Sequence, residues 1–234
     1  MRTKVVITYF HYGRDEFLDL IRMAFASAKL FDCETVLVTS SEIGLGQDHT
    51  LKVAHPGENV LMPAILDAQK AYIDSPLFDS NSVLFSPDAL VARHLRLAFE
   101  GDFDMGVTNG SCLGYPINNG VVYIRPETKN RLTHLWNDFI IQCKSYKPEL
   151  QKWYGDQKAM QDVMVRSNDT PYGLNVKRLI SIKYNAAFSK KGWIASDQLA
   201  YVNAFVWHFK GNRKDRMAEF WERLQRDTAA IQRA

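Results

Sequence analysis

Short, almost wholly apolar runs alternate along the chain with longer segments in which apolar residues recur every three or four positions. Val5 to Tyr9 reads as a buried strand. Asp15 to Phe31 follows as a helix, with Phe17, Ile21, Ala24, Ala28 and Phe31 on one face and Asp15 and Glu16 in the first turn, where negative charge suits the helix dipole. Glu34 to Thr39 is again a strand. Together they make a βαβ unit, which predicts a right-handed crossover and a partly parallel sheet. Ser40 to Glu58 is a polar, glycine-containing loop region with one short strand near Leu51-Lys52-Val53, and Leu61 to Ile73 is helical in pattern. Val83-Leu84-Phe85 is then a core strand that stops at Ser86-Pro87-Asp88.

The second half repeats the alternation less cleanly. Ala89 to Phe99 is predicted as a helix carrying Arg93, His94 and Arg96, and Phe103 to Thr108 as a strand. A glycine-containing turn, Asn118-Asn119-Gly120, feeds the apolar strand Val121 to Ile124. Pro126 to Cys143 is helical, with Leu132, Leu135, Trp136, Phe139 and Ile140 on one face. Lys144 to Lys152 reads as a polar linker, and Gly155-Asp156-Gln157 opens a helical segment, Lys158 to Val165. Leu179 to Lys183 is a candidate strand, Tyr184 to Asp197 a surface excursion, Val202 to Phe209 a buried strand, and Asp215 to Ile231 a final helix. The expected class is α/β, a three-layer α/β/α fold around a mostly parallel sheet, in one domain over residues 1–234.

Composition narrows the class only slightly. The 234 residues are 46% hydrophobic and 24% charged, ordinary for a folded chain and far from the disordered range. Cys33, Cys112 and Cys143 are odd in number and widely spaced, which indicates neither a disulfide framework nor a cysteine zinc site. The first ten residues read as a strand rather than a signal peptide, and no apolar run is long enough to span a bilayer. A cytoplasmic protein with no integral membrane segment is therefore expected. The net charge of +3 admits an anionic ligand and is too mild to indicate nucleic-acid binding, although Arg213, Lys214 and Arg216, with Lys190 and Lys191, form basic clusters.

Chemistry concentrates at the strand ends. In an open α/β sheet ligands sit beyond the carboxyl ends of the strands, so Asp88, at the exit of its strand, is a candidate hard oxygen ligand for a divalent metal. A cap on a following helix is its plain alternative. His208, at the end of the last apolar run, is a candidate nitrogen ligand or a core histidine. Tyr9 and Tyr12 are candidates for stacking on a nucleobase, or simply core and turn. Lys70 either reaches a phosphate or is solvated helix surface. Gly211 would let the backbone approach a phosphate, with Arg213 and Lys214 adding positive charge. Asn118 and Asn119, beside Gly120, could bind sugar hydroxyls, while Asp156 and Gln157 could hold a sugar or orient an acceptor, Asp156 having a helix N-cap as its alternative.

Phe85-Ser86-Pro87-Asp88, Asn118-Asn119-Gly120-Val121, Gly155-Asp156-Gln157, Lys183-Tyr184-Asn185 and His208-Phe209-Lys210-Gly211-Asn212-Arg213-Lys214 occur in an order that resembles GT-A-fold glycosyltransferases, especially the glycogenin-like and bacterial galactosyltransferase-like retaining families. The resemblance runs from the first strand to about Lys214. It implies a nucleotide-sugar-binding half over 1–110, a donor-sugar and acceptor half over 111–214, and a C-terminal helix over 215–234. It further implies a nucleoside-diphosphate sugar as donor, UDP favoured, transfer with retention of configuration, and manganese, with magnesium possible. Asp88 and His208 are then the metal ligands, Gly211 and Lys214 the diphosphate contacts, Asn118 a sugar contact and Asp156 the residue near donor sugar and acceptor.

One departure matters. The family's Asp-x-Asp is here Ser86-Pro87-Asp88, so one carboxylate is missing and metal affinity should be lower. A catalytically inactive sugar-nucleotide or glycan-binding protein is the alternative that this departure favours. A sugar-phosphate nucleotidyltransferase is disfavoured, because Tyr12-Gly13-Arg14 holds a single glycine where a phosphate cradle needs several. A glycan, a lipid-linked saccharide, a protein or modified nucleic acid all fit as acceptor, and the oligomeric state is left open.

Overall fold

The computed structural model describes residues 1–13, 15–57, 60–112, 115–187, 201 and 203–233. Its opening follows the apolar pattern: β1 (Lys4–Thr8), α1 (Glu16–Leu30), β2 (Glu34–Thr39), β3 (His49–Lys52), α2 (Leu61–Asp74) and β4 (Ser82–Phe85). Next come β5 (Ala89–Val91), β6 (Met105–Cys112), β7 (Tyr115–Ile124), α3 (Lys129–Lys144), α4 (Pro148–Lys152) and α5 (Gly155–Arg166). The chain closes with β8 (Val176–Leu179), α6 (Ser181–Tyr184), β9 (Ala186–Ala187), β10 (Val206–His208) and α7 (Met217–Arg233).

Seven strands form the main sheet in the order β3-β2-β1-β4-β7-β6-β8. β1 is parallel to β2 and β4, β7 is antiparallel to β4 and β6, and β8 is parallel to β6. Because β1 has β2 on one side and β4 on the other, the connections diverge there. The carboxyl ends of β1 and β4 therefore border the crevice where α/β sheets bind ligands. Alternation along the strands splits the core into two layers. Val5, Ile7, Val83, Phe85, Val121 and Tyr123 pack with α1, α7 and a small second sheet, β5-β10-β9. Val6, Leu84, Val122 and Ile124 pack with α2, α3 and α5. Covered on both faces, the central strands bury nearly every side chain, which is why their runs lack polar alternation.

Several expectations are corrected. Residues 89–99 are not a helix: Ala89, Leu90 and Val91 pair with His208, Trp207 and Val206, and only Leu95–Phe99 coils, as a 3-10 turn. Tertiary strand pairing here overrides a helix-like apolar spacing. Asn118-Asn119-Gly120 is not a turn but lies inside β7. There the pairing jumps from Val107–Val122 to Thr108–Asn118, so the intervening residues of β7 bulge. The polar linker contains α4, started by Pro148. The strand expected from Leu179 ends at that residue and gives way to α6. Of the surface excursion, residues 188–197 lie outside the described residues, as do Lys190 and Lys191. Among the described residues, no helix is long and apolar enough to cross a membrane.

Candidate active site

Asp88 follows β4 and precedes β5, so it caps no helix. Its backbone carbonyl accepts the Phe209 N–H at 2.8 Å, which anchors the turn to the segment just after β10. Asp88 Oδ1 accepts the Ser86 hydroxyl at 2.5 Å and lies 3.1 Å from His208 Nε2. Lys214 Nζ approaches Oδ2 at 3.8 Å and sits 4.4 Å from the Phe17 ring centroid. Burial alone would raise the Asp88 carboxyl. His208, the Ser86 hydroxyl and the Lys214 ammonium override it and hold the carboxyl at about 2. Burial lowers His208 below the usual imidazole value, against the opposing pull of Asp88.

The other ring nitrogen of His208, Nδ1, is 3.1 Å from Asn185 Oδ1. The Asn185 amide in turn donates from Nδ2 to Thr108 Oγ1 at 2.7 Å. Gly120 supports the ring from a third direction: a Cβ at that position would fall 2.2 Å from His208 Cε1. His208 is thus buried, as a core histidine would be, and both of its ring nitrogens face side chains. Gly120 is pinned in this place by donating its N–H to Asn118 Oδ1 at 2.9 Å and accepting from Ser86 N at 2.7 Å.

A second cluster hangs from the neighbouring residue of β7. Asn119 Nδ2 donates to Asp156 Oδ2 at 2.8 Å. Asn119 Oδ1 and Asp156 Oδ1 are both buried and meet no hydrogen-bond donor among the described residues. Burial raises the Asp156 carboxyl above its ordinary value, against the opposing pull of the Asn119 amide. Asp156 is inside the first turn of α5, not at its cap; Tyr154 holds that place, with φ 67°. Gln157 is half-buried beside it. Two adjacent strand residues, Cα atoms about 3.8 Å apart, therefore join an acid–imidazole–ammonium cluster to a pair of buried oxygens with no donor among the described residues.

The remaining candidates are placed around or away from this core. Gly211, at φ +63°, opens the 3-10 turn Gly211–Arg216 that carries Lys214, and this backbone conformation favours glycine. Arg213 turns its Nε to Lys210 O at 2.9 Å. Tyr9 is buried, with its hydroxyl 3.2 Å from His11 Nδ1 and its ring 6.4 Å from that of Phe17. Tyr12 is half-buried and meets the His55 ring edge-on at 5.1 Å. Lys70 is not among the grouped residues; it pairs with Asp74 at 2.6 Å in the last turn of α2, which leads to the amino end of β4. Asn185 had no assigned role in the sequence, Ser86 stood there only for a missing carboxylate, and Phe17 only for a helix face. The Lys183-Tyr184-Asn185 run, among the motifs that carry the resemblance, was the available signal for the first.

Among the described residues, no group of three His, Cys, Asp or Glu side chains is arranged to hold a metal ion. No protein-family model matches the chain. No curated protein matches it either. Solved structures do. A glycosyltransferase involved in glycosylation of the major capsid of PBCV-1 superposes with a TM-score of 0.60 at 12% identity, over 94% of this chain and 100% of that one. The galactosyltransferase LgtC, in complex with donor and acceptor sugar analogs, gives 0.58 at 15% identity over 97% and 95%. The apo glycosyltransferase GlyE of Streptococcus pneumoniae TIGR4 gives 0.63 at 13% identity, over 99% of this chain and 64% of that one. At such identities the likeness is one of architecture: a mixed, largely parallel sheet flanked by helices, a GT-A-like fold.

Proposed function

We propose that this chain is a nucleotide-sugar-dependent glycosyltransferase, moving a sugar from a nucleoside diphosphate, UDP favoured, to a hydroxyl acceptor with retention of configuration. The observation that carries the reading is the junction on β7 of two complementary clusters. One sets the Lys214 ammonium beside an acid–imidazole pair suited to a cation, and the other offers buried oxygens that can accept hydroxyl hydrogens. Breaking a sugar–diphosphate bond builds negative charge on the departing phosphate and positive charge on the sugar, and a preorganised site stabilises both.

The Asp88–His208 pair fits a divalent cation. Its donor atoms are 3.1 Å apart, and adjacent ligands of an octahedral ion with bonds of roughly 2.1 Å lie about 3 Å apart. A carboxylate with an imidazole suits manganese better than magnesium. Bound there, the ion would supply Lewis-acid neutralisation of the diphosphate. Lys214 brings a positive charge of the chain's own to the same place, and Gly211 exposes backbone beside it. Asn119 Oδ1 and Asp156 Oδ1 would accept sugar hydroxyls, and the Asp156 charge would oppose the positive charge on the sugar. In a front-face displacement the acceptor hydroxyl gives its proton to the leaving phosphate, so no separate enzymic base is required.

Calorimetric titration with UDP-, GDP- and CDP-linked sugars, with manganese and again with chelator, tests the reading. One donor should bind in a metal-dependent way and be hydrolysed slowly, and Asp88→Ala or His208→Ala should abolish both. A folded protein that neither binds nor turns over any donor sinks it. The Ser86 hydroxyl, bonded to Asp88 where the resemblance calls for a second carboxylate, favours a second reading, a sugar-nucleotide-binding protein without turnover. Binding without hydrolysis or transfer would select that one.

A further inference from the structure

The tautomer of His208 is set from outside the pair it forms with Asp88. Asn185 is buried, 3% exposed, and its Nδ2 donates to Thr108 Oγ1, which leaves its Oδ1 facing His208 Nδ1 at 3.1 Å. An amide oxygen only accepts, so Nδ1 is the nitrogen that carries the proton. With the proton on Nδ1, Nε2 points at Asp88 Oδ1, 3.1 Å away, and it presents a lone pair there whenever the ring carries a single proton, as a metal-binding imidazole must. In that state two acceptors face each other in a buried place and repel unless a proton or a metal cation stands between them. The Ser86 hydroxyl donates to the same carboxylate oxygen and gives nothing to His208.

We propose that Asn185 is the positioning residue of this site: its carbonyl keeps the His208 proton on Nδ1, so that Nε2 and Asp88 Oδ1 converge as ligands for one divalent cation of the manganese class. The inference rests on the cation part of the reading above and names a residue that it did not use. With a singly protonated ring, the run Thr108, Asn185, His208, Asp88 has two possible polarities. With Asn185 turned over, Nε2–H would donate to Asp88 and the pair would be an ordinary hydrogen bond with no place for a metal. Thr108 lies in β6 and Asn185 just after α6, so elements that supply neither ligand select the metal-binding polarity. The Asn185 backbone N–H is already bonded to Ser181 O at 2.8 Å, so its side chain is not needed to end that turn. Second-shell partners of metal-bound histidines act in this way, and their loss weakens metal binding roughly 10- to 100-fold.

The test uses the full chain, metal-free and without any sugar nucleotide. Long-range ¹H–¹⁵N correlations on protein labelled at histidine, with His208→Gln to assign the signal, read the tautomer directly. Electron paramagnetic resonance of free Mn²⁺ then measures affinity. The wild type should show the Nδ1–H tautomer. Asn185→Leu, similar in volume but without an acceptor, should lose it and bind Mn²⁺ about 10- to 100-fold more weakly. Asn185→Asp keeps an acceptor and should restore both, which a purely space-filling role would not predict. A wild type in the Nε2–H tautomer overturns the proposal, as does an unchanged Mn²⁺ affinity in Asn185→Leu or no Mn²⁺ binding by the wild type at millimolar concentration. The tautomer is read on the wild type, so a variant that fails to fold does not remove the test. No donor enters either measurement, so failure to bind a sugar nucleotide and failure of this inference are separate results.

Discussion

Asp156 shows how a single buried side chain can work against stability. Burial raises its carboxyl above the ordinary value. A carboxyl raised in the folded state favours folding below the unfolded pKa, and that contribution is lost as pH rises through the folded value. At neutral pH the buried charge is therefore a net cost. Asp156→Asn keeps an oxygen for Asn119 Nδ2 and removes the charge. The variant should melt at a higher temperature than the wild type at pH 7, with the difference vanishing under acid conditions, as scanning calorimetry across pH would show. On the proposed function, donor turnover should fall by about two orders of magnitude, because the charge proposed to oppose a developing sugar cation is gone. A variant less stable at pH 7 would contradict the account. Gly120 makes the opposite case, a residue whose missing atom matters. Gly120→Ala places a methyl 2.2 Å from His208 Cε1, so the ring must move. An overpacking cost of about 1–3 kcal/mol is expected in urea denaturation. Mn²⁺ affinity should drop as well, whereas unchanged affinity would mean that the ring position is immaterial.

Among the elements, β10 carries His208 but has little support of its own. Its three residues pair with β5 and β9, and α7 covers it through Phe220, whose ring lies 5.0 Å from Trp207 and 5.4 Å from Phe209. The C-terminal helix thus bears on the site without reaching it. Phe220→Ala removes a fully buried ring and should cost about 3–5 kcal/mol. Amide exchange should rise first at Val206, Trp207 and His208 while β1 and β4 stay protected. Uniform loss of protection would show that the small sheet is not a separable layer. The β7 bulge matters at the same scale. Alternation along the strand sends Asn119 toward α5 and Gly120 toward His208, so one polar tripeptide serves both clusters.

Across the whole molecule, the two sequence-level halves share a single sheet. β4 of the first pairs with β7 of the second, and β6 is enclosed between β7 and β8. The core beside α1 draws on Val5, Tyr123, Trp207 and Phe220, from all three segments of the chain. A fragment ending at residue 110 would expose β4 as an unpaired apolar edge and leave α1 half covered. It should show no cooperative thermal transition by circular dichroism, whereas the full chain should unfold in one. A sharp transition in the fragment would show instead that residues 1–110 fold by themselves.

The apolar runs of β1, β2 and β4 and the helical spacing of α1, α2 and α3 were legible in the chain, because each is long and regular enough for burial to impose a period. Asp88 and His208 were legible as residue types at strand ends. What tertiary structure alone decided are the relations between distant segments. The pairing of Ala89–Val91 with β10 turned an expected helix into a strand, and the bulge in β7 turned an expected turn into the hinge between two clusters. The meeting of Asn185 with His208 joined residues far apart in the chain through one ring nitrogen. Periodicity records which face of an element is buried, but not what it is buried against, and the chemistry of this site lies in that second fact.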